Sequence, residues 1–178
     1  MRRITQVRGQ ELAWTQTGYC HGEYELQAGD EVVATLRWHG ESLAIAETAD
    51  GHWSFERPGY RRARVSVKTV GSGTQIAVIS FYWTGGATLE LAGGKLFHWS
   101  ATNFWGSRWG WRDADGTELM SLRSKQRLKV SGLVESSQAT ATLPEFDLLV
   151  TLGWYLLVMH SQDSTTDAVA ATAGTAGS

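Results

Sequence analysis

The chain is predicted to be mainly β, a single antiparallel barrel that encloses one C-terminal apolar helix at about residues 143–160. Three observations lead there. Turn signals recur at intervals of about 8–12 residues, as in a sandwich or barrel. The segments between them alternate with a period of two. The longest apolar run, Leu148–Met159 (LLVTLGWYLLVM), comes late, just before a polar tail.

The turns are Gly29-Asp30, Gly40, Asp50-Gly51, Pro58-Gly59, Gly71-Ser72-Gly73, Gly85-Gly86, Gly93-Gly94, Gly106, Asp115-Gly116 and Gly132. They divide the chain into about ten to twelve strands, starting near residue 4 and ending near 133. Val32, Ala34, Leu36 and Trp38 share one face of their strand. Ala63, Val65 and Val67 alternate with Arg62, Arg64, Ser66 and Lys68. In the last strand Ser124, Gln126, Leu128 and Val130 alternate with Arg123, Lys125, Arg127 and Lys129. Ile76–Trp83 is apolar on both faces apart from Ser80, which predicts a central strand covered on both sides. There is also a faint internal echo. Glu25–Val32 is like Glu90–Leu96, and Ala49-Asp50-Gly51-His52 is like Ala114-Asp115-Gly116-Thr117, both offset by 65 residues. Such an echo suits a barrel of two similar halves.

Helix 143–160 is expected to start at a capping box, with Thr142 and Glu145 satisfying each other's N–H groups and Pro144 in the first turn. His160 is expected near its C-terminus, where a cation suits the helix dipole. Apolar residues surround this helix, and only Asp147, Thr151 and Tyr155 form a narrow polar line. A helix apolar all round is buried or spans a membrane. Twelve uninterrupted apolar residues fall short of the roughly 20 that a span needs, which favours burial. An eight-stranded barrel is filled by its own side chains, whereas a larger one leaves room. The helix is the natural filling. Residues 161–178 (SQDSTTDAVAATAGTAGS) are small and polar and are expected to be a disordered tail.

Strand pairs joined by turns such as Ala49-Asp50-Gly51-His52 and Asp113-Ala114-Asp115-Gly116, followed by the apolar segment Phe146–His160, resemble the tubby C-terminal-domain-like superfamily. The likeness is to its LURP-one-related and phospholipid-scramblase branches and covers roughly residues 10–160. It implies a 12-stranded barrel around a central helix, and a non-enzymatic binding or scaffold module that associates with anionic phospholipid or another phosphate-bearing partner. It carries over no catalytic residues. Two other readings stay open, a small-molecule carrier with an open, lipocalin-like barrel and a lipid-handling enzyme.

The formal net charge of −2 hides an asymmetry. Residues 11–56 hold nine acids against one base, Arg37, while residues 57–129 hold twelve bases against four acids. The basic strand faces, Arg62, Arg64 and Lys68 on one and Arg123, Lys125, Arg127 and Lys129 on the other, are the candidate anion- or lipid-binding residues. Like charges in a row are costly unless acids or anions offset them, and the alternative is a solvated face paired with cross-strand acids. Phe104–Trp111 concentrates four aromatic residues in eight, which suits either a membrane-interface or sugar-stacking patch or large rings capping a barrel end. Asp113–Glu118 lacks a glutamate at the twelfth position of a calcium loop, so Asp115-Gly116 is expected to be a hairpin turn. Cys20 and His21 are adjacent and would point apart on a strand. No metal-ligand spacing, phosphate loop or nucleophile elbow occurs, so no cofactor, metal or catalytic set is expected. The partners expected are an anionic membrane surface or a protein. Nucleic acid is not expected, because basic and aromatic residues do not interleave on those faces. A lone cysteine and an N-terminus without an apolar leader segment point to the cytoplasm, with peripheral association at a membrane.

Overall fold

The computed structural model describes the chain apart from residues 8, 18–21, 59–63, 84, 105, 127–129, 141 and 174–178, and apart from the side chains of 125, 126, 130 and 164–173. Twelve strands follow a short 3-10 turn at Ile4–Val7: β1 (Leu12–Gln16), β2 (Glu23–Ala28), β3 (Glu31–His39), β4 (Leu43–Thr48), β5 (His52–Glu56) and β6 (Arg64–Thr69). Then come β7 (Gln75–Phe81), β8 (Ala87–Leu91), β9 (Leu96–Ala101), β10 (Arg108–Asp113), β11 (Glu118–Gln126) and β12 (Val130–Ser136), and last the helix α1 (Phe146–Ala173). Each strand pairs antiparallel with the next, and β1 closes on β12, giving a 12-stranded barrel without edges. Closure leaves no unpaired ladder to recruit another chain.

Alternation sets the inside. Val65 and Val67 are buried while Arg64 is exposed, as the period of two requires. Small side chains on β3 and β4, Ala34, Ala44 and Ala46, line the wall that α1 approaches closely. The lumen is taken by α1, whose residues 146–159 are buried on every side. Trp154 stacks on Trp14 at 5.6 Å and meets Tyr24 edge-on at 5.7 Å. Tyr155 stacks on Trp38 at 4.8 Å. The Trp111 indole donates to the Leu149 carbonyl at 2.9 Å, tying wall to filling. Ile4 and Val7, both buried, lie at the end where α1 enters. A 12-strand ring leaves a lumen wider than wall side chains alone fill, and α1 occupies it.

Several expectations change. Ile4–Val7 is a 3-10 turn and not a strand. The helix begins at Phe146, and the Leu149 N–H donates to the Glu145 carbonyl. The Glu145 carboxylate binds Lys95 at 2.9 Å instead of forming a capping box with Thr142. The helix runs on to Ala173, so His160 lies mid-helix and residues 161–173 are helical where a disordered tail was expected. At 1.5 Å per residue its 28 residues reach about 42 Å. Strand β7 is not covered on both faces. Ala77 and Ile79 point inward, while Ile76 and Val78 are half-buried on the outer face. The strand expected across 124–130 is two strands. β11 ends at Gln126 and β12 begins at Val130, and these two residues pair. The 65-residue echo does have a counterpart: it relates the β2–β3 turn to the β8–β9 turn, and the β4–β5 turn to the β10–β11 turn, six strands or half the ring apart.

Candidate functional site: the helix-exit rim

In a meander of antiparallel strands, every connection after an odd-numbered strand lies at one end of the barrel. Helix α1 enters at the opposite end, where Glu145 meets Lys95 of the β8–β9 connection. It leaves past the odd-strand connections, where Asp163 meets Arg57 at 3.1 Å, just beyond β5. This helix-exit rim carries the most exposed aromatic side chains among the described residues. Trp83, in the β7–β8 connection, is 103% exposed, and Phe104, in the β9–β10 connection, is 95% exposed.

Both side chains stand on built loops. The Tyr82 N–H donates to the Gly86 carbonyl, and the Gly85 N–H returns to the Tyr82 carbonyl at 3.1 Å. Gly85 has φ +91°, a conformation that a side chain would strain. The Tyr82 hydroxyl hydrogen-bonds Thr88. In the next loop the Asn103 side chain accepts from the N–H groups of Ser107 and Arg108 at 3.1 and 3.2 Å. The Trp109 indole donates to the Gly106 carbonyl at 2.9 Å. Among the described residues these bonds close each loop on itself, and Trp83 and Phe104 stand exposed. Two strand spacings separate the loops, about 10 Å around the ring.

The expected basic residues fall in three places. Arg64 opens β6 at this rim, and Arg123 lies on β11 opposite Arg108, the first residue of β10. Arg64 and Arg123 are exposed and make no ion pair with a described residue. Arg108 and Arg123 face each other as like charges, a costly pairing. Arg108 offsets it by bonding Glu135 and, at 2.8 Å, Ser121. Lys68 lies toward the other end of β6 and is neutralised by Glu56. Lys125 is on β11, but its side chain is not described, and Arg62, Arg127 and Lys129 lie outside the described residues, as do Cys20 and His21. Strands β6 and β11 are five positions apart in a ring of twelve, almost diametrically opposed. The two basic faces therefore do not form one flank. What they share is an end, and the arc from β6 to β11 passes through the Trp83 and Phe104 loops.

The cluster Phe104–Trp111 divides. Trp109 and Trp111 point into the barrel and are buried, while Phe104 is exposed at the rim. Sequence alternation could have separated Trp109 and Trp111 from Phe104, since they lie within the strand and it does not. Trp83 was hidden by its place at the end of an apolar run. Asp113 accepts from the Asp115 and Thr117 N–H groups at 3.0 and 2.8 Å, organising the β10–β11 hairpin turn.

Beneath the aromatic arc a cavity of ≈ 180 Å³ opens between α1 and the wall. Phe81, Trp99 and Trp109 face Leu157 and Met159 across it. Arg57, Asp163 and His160 line it as well, with the His160 ring 5.3 Å from that of Trp109. Arg57 is only 13% exposed at its side chain. Nearby, burial pushes the Tyr155 phenol well above its ordinary range, with Arg57 drawing it down and Asp163 pushing it up.

No helix among the described residues is long and apolar enough to cross a membrane, which leaves aside crossing by strands. No family model, no curated protein and no solved structure matches this chain.

Proposed function

We propose that the protein is a non-enzymatic binding domain of tubby-like type that docks end-on to anionic phospholipid surfaces, inserting the helix-exit rim. The observation that carries the proposal is the pairing of exposed Trp83 and Phe104 on neighbouring loops, flanked along the same arc by the exposed Arg64 and Arg123. Aromatic rings held in water at loop tips gain by entering the interfacial layer, and burying one such ring contributes about 1.5–3 kcal/mol. Each basic group near an anionic surface adds about 1 kcal/mol and is screened by salt. Two rings and two arginines together suit reversible peripheral binding. An open-barrel carrier is disfavoured because α1 occupies the lumen.

Vesicle flotation tests the proposal. Wild type should float with vesicles containing anionic lipid at low salt, be released near about 0.5 M salt, and stay behind with neutral vesicles. Arg64→Glu with Arg123→Glu should abolish flotation, and Trp83→Ser with Phe104→Ser should do so at unchanged melting temperature. Failure of wild type to float at low ionic strength, or flotation of both double variants at the wild-type level, overturns the proposal.

A further inference from the structure

We propose that the cavity at the helix-exit rim is a binding site for a single-chain anionic amphiphile. The hydrocarbon end would lie between Trp99, Trp109 and Leu157, and the carboxylate or phosphate head would lie on Arg57. This inference goes beyond end-on docking and stands without it, because the same ligand chemistry can come from a lysophospholipid or from a free fatty acid.

The shape of the site argues for the tail. The inward residues of α1 farther from the rim, such as Leu149 and Leu152, are wholly inaccessible, whereas Leu157 and Met159 retain 9% and 6% of their surface. Trp99 and Trp109 across from them retain 4% and 9%. The packing of helix against wall is therefore looser at this level, where the gap reaches solvent. An apolar cavity of about 150 Å³ accepts benzene, so ≈ 180 Å³ takes a chain end of about six carbons. Longer chains would extend out of the rim without further gain.

The charges argue for the head. Arg57 and His160 are the basic groups lining the cavity and Asp163 is its acid. Arg57 is mostly covered, and its guanidinium is held toward the cavity by Asp163, through contacts at 3.1 and 3.5 Å. A guanidinium has five N–H donors in a fork, more than one carboxylate uses, so a ligand oxyanion can share Arg57 or take the place of Asp163. A displaceable carboxylate on the outgoing helix makes Asp163 a competitor of the ligand.

Titration calorimetry on the full chain tests this with two single-chain probes, octanoate and monomeric hexanoyl lysophosphatidate, against octanol as the uncharged control. At least one anionic probe should bind saturably, about tenfold more tightly than octanol. A gain for octanoate alone identifies a free fatty acid as the source, and a gain for the lysophosphatidate alone identifies a single-chain phospholipid. Over carboxylates of increasing length the affinity should level off above about six to eight carbons. Leu157→Trp, which fills the cavity, should lower the affinity at least tenfold while leaving vesicle flotation intact. Arg57→Gln should erase the preference over octanol, and Asp163→Asn should raise affinity for the anion several-fold. The inference is overturned if neither anionic probe binds wild type, or if a folded Leu157→Trp binds as wild type does. Flotation without probe binding defeats the cavity alone, and probe binding without flotation defeats the docking alone.

Discussion

Tyr155 shows how single residues in this core conflict. Its ring is fully buried, stacked on Trp38 and 5.2 Å from Phe55, yet its hydroxyl has no hydrogen-bond partner among the described residues. Such a group carries a desolvation penalty of about 1–3 kcal/mol. Tyr155→Phe keeps the ring and removes the penalty, so thermal denaturation should show the variant more stable by about 1 kcal/mol at neutral pH. The pH dependence follows from burial, which raises the folded-state pKa of Tyr155 and also that of Tyr24. An unfolded tyrosine loses its proton near about pH 10, while the folded one keeps it. Stability is thus complete below that pH and falls as pH rises through it. The Phe variant should lose less stability than wild type between about pH 9 and 11; an identical loss would show that Tyr155 is not the group responsible. At this scale the sequence was informative about burial. The polar line Asp147, Thr151 and Tyr155 was visible, but all three are buried and not set toward water, and Thr151 settles its hydroxyl on the Asp147 and Leu148 carbonyls at 3.0 Å. Partners of this kind depend on distant residues, which spacing along the chain does not disclose.

The elements were legible where period and punctuation agreed. Val65 and Val67 inward with Arg64 outward, the hairpin at Asp115-Gly116, and a late helix apolar all round each follow from one local rule. Reading failed where the local rule was satisfied by two structures. Residues 124–130 alternate perfectly, yet they belong to two antiparallel strands in which Gln126 pairs with Val130, and no glycine between them signals it. The end of α1 was misplaced because Ser161–Ala173 has no apolar face. Its continuation was not visible in amphipathic period, and the Arg57–Asp163 pair joins residues 106 apart. Gly132, read as a turn, instead lies within β12 beneath Trp154. A Cβ there would stand 2.3 Å from the Trp154 ring and 2.9 Å from the Arg123 carbonyl oxygen. Trp154 cannot retreat, since it is stacked on Trp14. Gly132→Ala should therefore destabilise by about 1–3 kcal/mol in denaturant titration, the cost of overpacking a filled core. An alanine variant as stable as wild type would mean that the helix sits more loosely than this packing requires.

At the scale of the whole molecule, the ring order brings scattered residues to one end, where they form the candidate site. Nothing in the sequence says that β6 and β11 lie across the barrel from each other, so the two basic faces could be read as one patch. Nothing says that residues 83 and 104 share an end with them either. That knowledge depends on strand order and on the direction in which α1 threads the lumen. Charge asymmetry between the two halves of the chain was visible, and the ring sorts it into an acidic arc over β1–β4 and an arc from β6 to β11 that bears Arg64, Arg108 and Arg123. The docking we propose puts the helix-exit end, and not a flank, against the membrane. Hydrogen exchange at short times, with and without anionic vesicles, tests it most directly. New protection should be confined to the rim connections at 82–86 and 102–107 and to the emerging helix, with the opposite connections at 92–95 and 114–117 unchanged. Protection at those opposite connections or along one strand flank, or no change anywhere on adding vesicles, would contradict it.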